Sequence, residues 1–195
     1  MGKDFSAALR PAIALTILFA VLLGIGYPLA MTGLAQAIFP RQANGSLVQE
    51  NGRVIGSTVL GQAFTSDRYF QTRPSAAGKG YDALASAGSN LGPTDTRLVD
   101  RVKADVAARR EQGVTGPVPA DLVTTSGSGL DPDLSPAAAL AQVGRVARVR
   151  ELPEAAVRDL VNRSVDAPTL GFMGEPRVNV LTLNRALDRL AAGAR

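Results

Sequence analysis

The densest run of reactive side chains is SGSGLDPD, Ser126 to Asp133, where two hydroxyls are followed closely by two carboxylates. A nucleophilic serine needs a base to take its proton, and the chain has no His, so activation of Ser126 or Ser128 would fall to Lys or a carboxylate. Asp131 and Asp133 around Pro132 match a calcium loop in composition but lack its twelve-residue ligand series, so Asp131 is expected to make turn hydrogen bonds. Gly127-Ser128-Gly129 does not follow a strand in the spacing of a dinucleotide fingerprint. Gly78-Lys79-Gly80 lacks the upstream Gly and the following Ser/Thr of a phosphate loop, and reads as a turn. Glu175 and Arg177 flank Pro176, either as an ion pair fixing a turn or as a contact point for a partner.

Composition narrows the chemistry further. The 195 residues contain no Cys and no His, which removes the usual zinc ligands, Cys or His nucleophiles, imidazole acid–base work and disulfides. The formal net charge is +4, but the cations Arg97, Arg101, Lys103, Arg109 and Arg110 alternate with Asp100, Asp105 and Glu111 and no aromatic platform accompanies them, so nucleic acid is not an expected partner.

These groups must be positioned by a chain that begins with an apolar segment. No charged side chain lies between Arg10 and Arg41, and Ala12 to Leu34 is long and apolar enough to cross a bilayer. The expected organisation is a short cytoplasmic N-terminus over 1–11, a transmembrane helix over 12–34, a connector over 35–45 and a soluble domain over 46–195. Ala35-Gln36-Ala37 would suit a signal-peptidase site, yet the apolar run exceeds the ~7–15 residues of a signal peptide's core. Lys3 and Arg10 precede the span and Arg41 follows it, which favours a cytoplasmic N-terminus and an extracytoplasmic domain. Ala12, Thr16, Ala20 and Gly24 form a small-residue stripe on which another helix can pack, and Pro28 after Gly26 should bend the outer third.

In the soluble part, Asn51-Gly52 between two Val-bearing runs predicts a β-hairpin. The Gly/Ser/Pro-rich stretch that follows holds Phe64, Tyr69, Phe70 and Tyr81, and is expected to be an ordered irregular surface. A helix capped by Thr94 or Asp95 should run to about Arg110, with Leu98, Val102 and Val106 on its inner face and Gly113 ending it. A short strand is expected over Leu122 to Thr125, then a helix from Ser135-Pro136 to about Arg150. Another helix should start at Pro153, with Val157, Leu160 and Val161 buried, and a last amphipathic one, capped by Asn179, should bear Leu183, Leu187 and Leu190. The fold class is an α+β domain following a single N-terminal transmembrane helix.

A series of longer blocks carries a resemblance: GYPL at Gly26, GQAF at Gly61, YFQTRPSAA at Tyr69, GSNLGPT at Gly88, SGSGLDP at Ser126 and GEPRVNVL at Gly174. In identity and order these resemble the C subunit of the bacterial Kdp potassium-transporting ATPase. The resemblance covers nearly the whole chain and implies a non-catalytic accessory subunit in the inner membrane. Its implied partners are the ATP-hydrolysing P-type subunit, a potassium-channel-like subunit and a small single-span subunit. ATP and potassium would belong to the complex, with no cofactor bound directly here. The implied motif residues are Arg73, Pro74, Ser75, Ser89, Asn90, Ser126, Gly129, Asp131, Glu175, Arg177 and Asn179. The family has been credited with raising the ATP affinity of the hydrolytic subunit through a glutamine matched by Gln142; with the domain outside the membrane, that effect would have to be allosteric. The alternative is an independent membrane-tethered hydrolase or binding domain using the Ser126–Asp133 loop.

Overall fold

The computed structural model describes residues 2–193, which divide into two compact units, one up to Leu47 and one from Val48 onward. The first is dominated by a continuous helix: α1 (Gly2–Val21), a π turn (Leu22–Gly26) and α2 (Tyr27–Ile38), followed by the short α3 (Pro40–Ala43). Within it, Ala7–Ile38 spans 32 residues and holds an 18-residue stretch of mean hydropathy 2.2, long and apolar enough to cross a membrane. At ~1.5 Å per residue Ala7–Ile38 outreaches the ~30 Å hydrocarbon core. The helix thus extends on both sides of the uncharged 12–34 segment, through Ala7-Ala8-Leu9 before it and Ala35 to Ile38 after it.

Ahead of Pro28 the helix carries a widened turn. Proline has no N–H and its ring crowds the carbonyl four residues back, here Gly24. The preceding turn opens to meet this, and the Tyr27 N–H donates to the Leu22 carbonyl, five residues back instead of four.

In the second unit, β1 (Leu47–Glu50) and β2 (Arg53–Ser57) pair around Asn51 and Gly52, whose φ values of 49° and 77° are the doubly left-handed turn that this dipeptide favours. A long irregular segment leads to α4 (Thr96–Glu111), where Asp95 caps by accepting from the Arg97 N–H. Then come β3 (Asp133–Leu134), α5 (Pro136–Leu140), α6 (Val143–Arg150), α7 (Glu154–Arg163), β4 (Val165–Asp166), β5 (Arg177–Asn179) and α8 (Val180–Gly193). The three short strands form an antiparallel sheet in the order β3-β5-β4, with Leu134 opposite Val178 and Val165 also opposite Val178.

The core lies between this sheet and α5–α8, where Leu134, Val143, Val146, Val157, Val161, Val178, Leu183 and Leu187 are buried together with Phe70 and Leu122. Burying each such side chain contributes about 1.5–3 kcal/mol. α4 lies at the margin of this core, with Val102 and Val106 only partly buried against it. Asn179 caps α8 as expected, its Oδ1 accepting from the Thr182 N–H at 3.1 Å.

Two expectations are corrected. Leu122 to Thr125 is not a strand: Ala120–Leu122 is a single 3-10 turn, held by the Thr124 hydroxyl on the Ala120 carbonyl at 2.7 Å and by Asp121, whose carboxylate accepts from Ser135 N–H at 2.7 Å. The helix expected from Ser135 to Arg150 is two helices, broken at Ala141–Gln142. There the Gln142 N–H bonds Ala139 O, three residues back, while the Gln142 side-chain amide takes the Ala138 carbonyl that a continuous helix would have used.

Candidate functional site

The motif-bearing loops converge on one surface. Arg73, in the irregular segment, forms an ion pair with Asp131 at 2.9 Å, and its guanidinium also reaches the Thr124 carbonyl at 3.4 Å. Asp131 uses its other oxygen to accept from the Asp133 N–H at 3.0 Å, the turn bond expected of it. Ser75 fastens the same loops: its hydroxyl donates to Gly129 O at 2.6 Å and accepts from Tyr81 N–H at 2.8 Å. The Tyr81 hydroxyl donates to the Arg73 carbonyl, and burial pushes this phenol above its ordinary range.

Gly129 has φ 67°, and a Cβ there would sit 2.6 Å from Ala87 O and 2.7 Å from Ala77 N, so backbone fills the space that any other side chain would need. The GSNLGPT block meets SGSGLDP through backbone: Ala87 N–H donates to Ser128 O at 3.0 Å, and Gly88 packs on Gly127. Ser89 is half-buried in this seam and Asn90, exposed, takes the left-handed φ of 51°. Gly78-Lys79-Gly80 is the turn read from sequence, with Gly78 and Gly80 both at positive φ.

Beside the Arg73–Asp131 pair opens a groove of about 690 Å³, whose charged lining is Arg73, Asp121, Asp131, Asp133, Glu175 and Arg177. Arg177 pairs with Asp133 at 3.4 Å, not with Glu175, because the β3–β5 pairing brings Asp133 alongside that strand. Asn179 ties the same corner, donating to Asp133 Oδ1 and to Thr58 O, both at 2.9 Å. The Ser126 hydroxyl lies 3.4 Å from that of Ser128, and the latter accepts from the Leu130 N–H. This is turn structure, with hydroxyl facing hydroxyl where a nucleophile would face its base. Among the described residues no three metal-ligating side chains gather.

Gln142 lies elsewhere, at the start of α6, and is only 1% exposed. Its Oε1 accepts from Gln71 N–H at 2.9 Å and from Arg145 Nη2 at 2.7 Å; its Nε2 donates to Gln71 O at 3.0 Å and Ala138 O at 3.3 Å. The full capacity of a primary amide is thereby used. Asn184 on α8 grips the neighbouring residue in the same manner, accepting from Phe70 N–H and donating to Phe70 O, both at 2.9 Å. Arg145 donates to Asp67 O and Tyr69 O, and Arg150 to Arg68 O. Burial draws the Arg145 guanidinium below its ordinary range, and nearby Asp67 opposes the shift. The backbone of residues 67–71 is thus held at every position by side chains of the core helices.

A family model described as "K+-transporting ATPase, c chain" matches residues 9–189. The chain belongs to the KdpC family. Among curated relatives, the potassium-transporting ATPase KdpC subunit of Caulobacter vibrioides is 58% identical over 181 residues, covering 92% of each chain. That of Methylobacterium nodulans is 56% identical over 195 residues, 94% of this chain and 97% of the relative. The Acidobacterium capsulatum subunit is 57% identical over 182 residues, 93% and 98% respectively.

Of the motif residues expected from the resemblance, Arg73, Pro74, Ser75, Ser126, Gly129, Asp131, Glu175, Arg177 and Asn179 come from loops that meet around the groove or its supporting seam. The helix residues Ala12, Thr16, Ala20, Gly24 and Pro28 are all exposed, with Gly24 inside the π turn and the Thr16 hydroxyl bonded back to Ala12 O at 2.8 Å. Asn184, Arg145 and Gln71 were not singled out from the sequence. Arg145 had a signal in its spacing, three residues after Gln142, but nothing local marks a loop one hundred and fourteen residues away as the partner of Asn184.

Proposed function

We propose that this chain is a non-catalytic accessory subunit of an ATP-driven potassium-uptake complex. In this reading its N-terminal helix spans the inner membrane with the N-terminus cytoplasmic, and its α+β domain lies outside. The helix packs by Ala12, Thr16, Ala20 and Gly24 on membrane-embedded partners, among which the resemblance includes an ATP-hydrolysing subunit, a channel-like subunit and a small single-span subunit. The domain stabilises the assembly and shapes the extracytoplasmic potassium entrance. Membership of the KdpC family over residues 9–189 is the observation that carries this reading.

Gln142 supports a structural route to any effect on ATP affinity. With its amide fully engaged inside the domain, it acts by holding residues 67–71 in place, and influence on nucleotide passes through the assembly. In the reconstituted complex, Gln142→Leu should reduce the amount of assembled complex while leaving the KM for ATP per assembled complex unchanged. A raised KM in fully assembled variant complexes would oppose this. Complexes purified in mild detergent without this chain should be unstable or inactive; equal yield and turnover would refute the accessory role. Since the chain has no Cys, Ser128→Cys reports topology, and protection from a small membrane-impermeant thiol reagent in intact cells would refute the external placement.

A further inference from the structure

Between β4 and β5 the chain makes an excursion whose apolar side chains face water. Leu170 is 77% exposed, Phe172 76% and Met173 55%, whereas Phe64 and Phe70 lie in or against the core. The excursion is ordered by its own backbone. Thr169 and Met173 exchange hydrogen bonds at 3.0 and 2.9 Å, and Gly171 N–H donates to Pro168 O at 3.0 Å. Leu170 and Gly171 take φ values of 56° and 80°, so an exposed leucine occupies a left-handed position that glycine or asparagine adopts more readily. An apolar tip tied by its own backbone bonds and held against both hydration and local conformational preference is organised for burial by something outside the domain.

Charge selects the occupant. From Ser164 to Pro176 there is no Lys or Arg, Asp166 and Glu175 are the charges of the excursion, and Arg177, opposite Asp166 at its base, is paired with Asp133. A tip that enters a bilayer surface is ordinarily ringed by cations and by Trp or Tyr, and anionic headgroups repel carboxylates. On its β5 side the excursion continues through Glu175 into the groove, where four carboxylates, Asp121, Asp131, Asp133 and Glu175, outnumber the guanidiniums of Arg73 and Arg177.

We infer that residues 169–173 form a docking finger that inserts into an apolar socket, rimmed by Lys or Arg, on another protein chain of the potassium-transporting ATPase complex. This rests on the accessory-subunit reading. Leu170 and Phe172 are the anchors, Met173 adapts to the socket wall, and the acidic groove receives the cationic rim.

The test uses the full chain co-expressed with the tagged remaining chains of the complex. The double variant Leu170→Ser/Phe172→Ser should keep the wild-type unfolding midpoint while its recovery on the tag falls about tenfold or more. Equal recovery would overturn the finger. In a second arm, Phe172→Cys carries a polarity-sensitive dye, with Lys103→Cys on exposed α4 as control. In nanodiscs containing phosphatidylglycerol the Phe172→Cys emission should shift to the blue only when the partner chains are present. A shift in lipid alone would assign the tip to the bilayer, and no shift in the assembled complex would leave it in water; either overturns the proposal. Failure of even the wild-type chain to co-purify would overturn the accessory-subunit reading itself, and the finger with it.

Discussion

The Gln142 seam and the 169–173 excursion are opposite solutions to the same solvent. At Gln142 a polar amide is withdrawn from water and every donor and acceptor is met from within. At Leu170 and Phe172 apolar carbon is left in water although a core lies in the same domain. The first region is complete in the isolated domain. The second, like the exposed apolar helix of residues 7–38, is left open to its surroundings, so their substitutions should register in different measurements.

The largest expected stability loss is at the seam. Gln142→Leu leaves the Gln71 N–H and C=O without partners and strips Arg145 of an acceptor, and should cost about 3–5 kcal/mol in denaturant unfolding. Gly129→Ala forces a Cβ against backbone atoms at positive φ and should cost about 3 kcal/mol, with the 86–90 and 126–130 loops losing hydrogen-exchange protection. Asn184→Ala, which frees only the two Phe70 groups, should cost about 2 kcal/mol, a drop of several degrees in the melting temperature. The smallest effect should have the opposite sign: Leu170→Asn relieves the left-handed strain and should stabilise the domain by about 0.5–1 kcal/mol in the same melt. A destabilising Leu170→Asn would erase the contrast, because it would mean that Leu170 already packs within the domain.

The sequence was most legible where a residue's role is local. Asn51-Gly52 dictates its own turn, Asp95 and Asn179 cap the residues that follow them, and the spacing of Leu183 and Leu187 specifies the buried face of α8. It was least legible where a local signal is overruled at a distance. Ser135-Pro136 and the apolar run after it read as one helix to Arg150, and only contact with Gln71 shows why the Gln142 amide interrupts it. Leu122 to Thr125 has strand composition, but Asp121 and Thr124 fold it into a turn by bonding to Ser135 and Ala120. At the groove, Arg73 and Asp131 were marked by their blocks, whereas the pairing of Arg177 with Asp133 instead of Glu175 depended on strand register.

The grip on residues 67–71 includes a bond to a peptide group at every position. Core side chains reach for the carbonyls and amides of Asp67 to Gln71, and of those five residues only Phe70 is itself fully buried. Every amino acid offers the same carbonyl, and all but proline the same N–H. These peptide bonds are indifferent to side-chain identity, whereas Asp67, Tyr69 and Gln71 are also tied by their own side chains to Arg145, Arg150 and Arg109, so exposed Arg68 is where this surface can change at least cost to its shape.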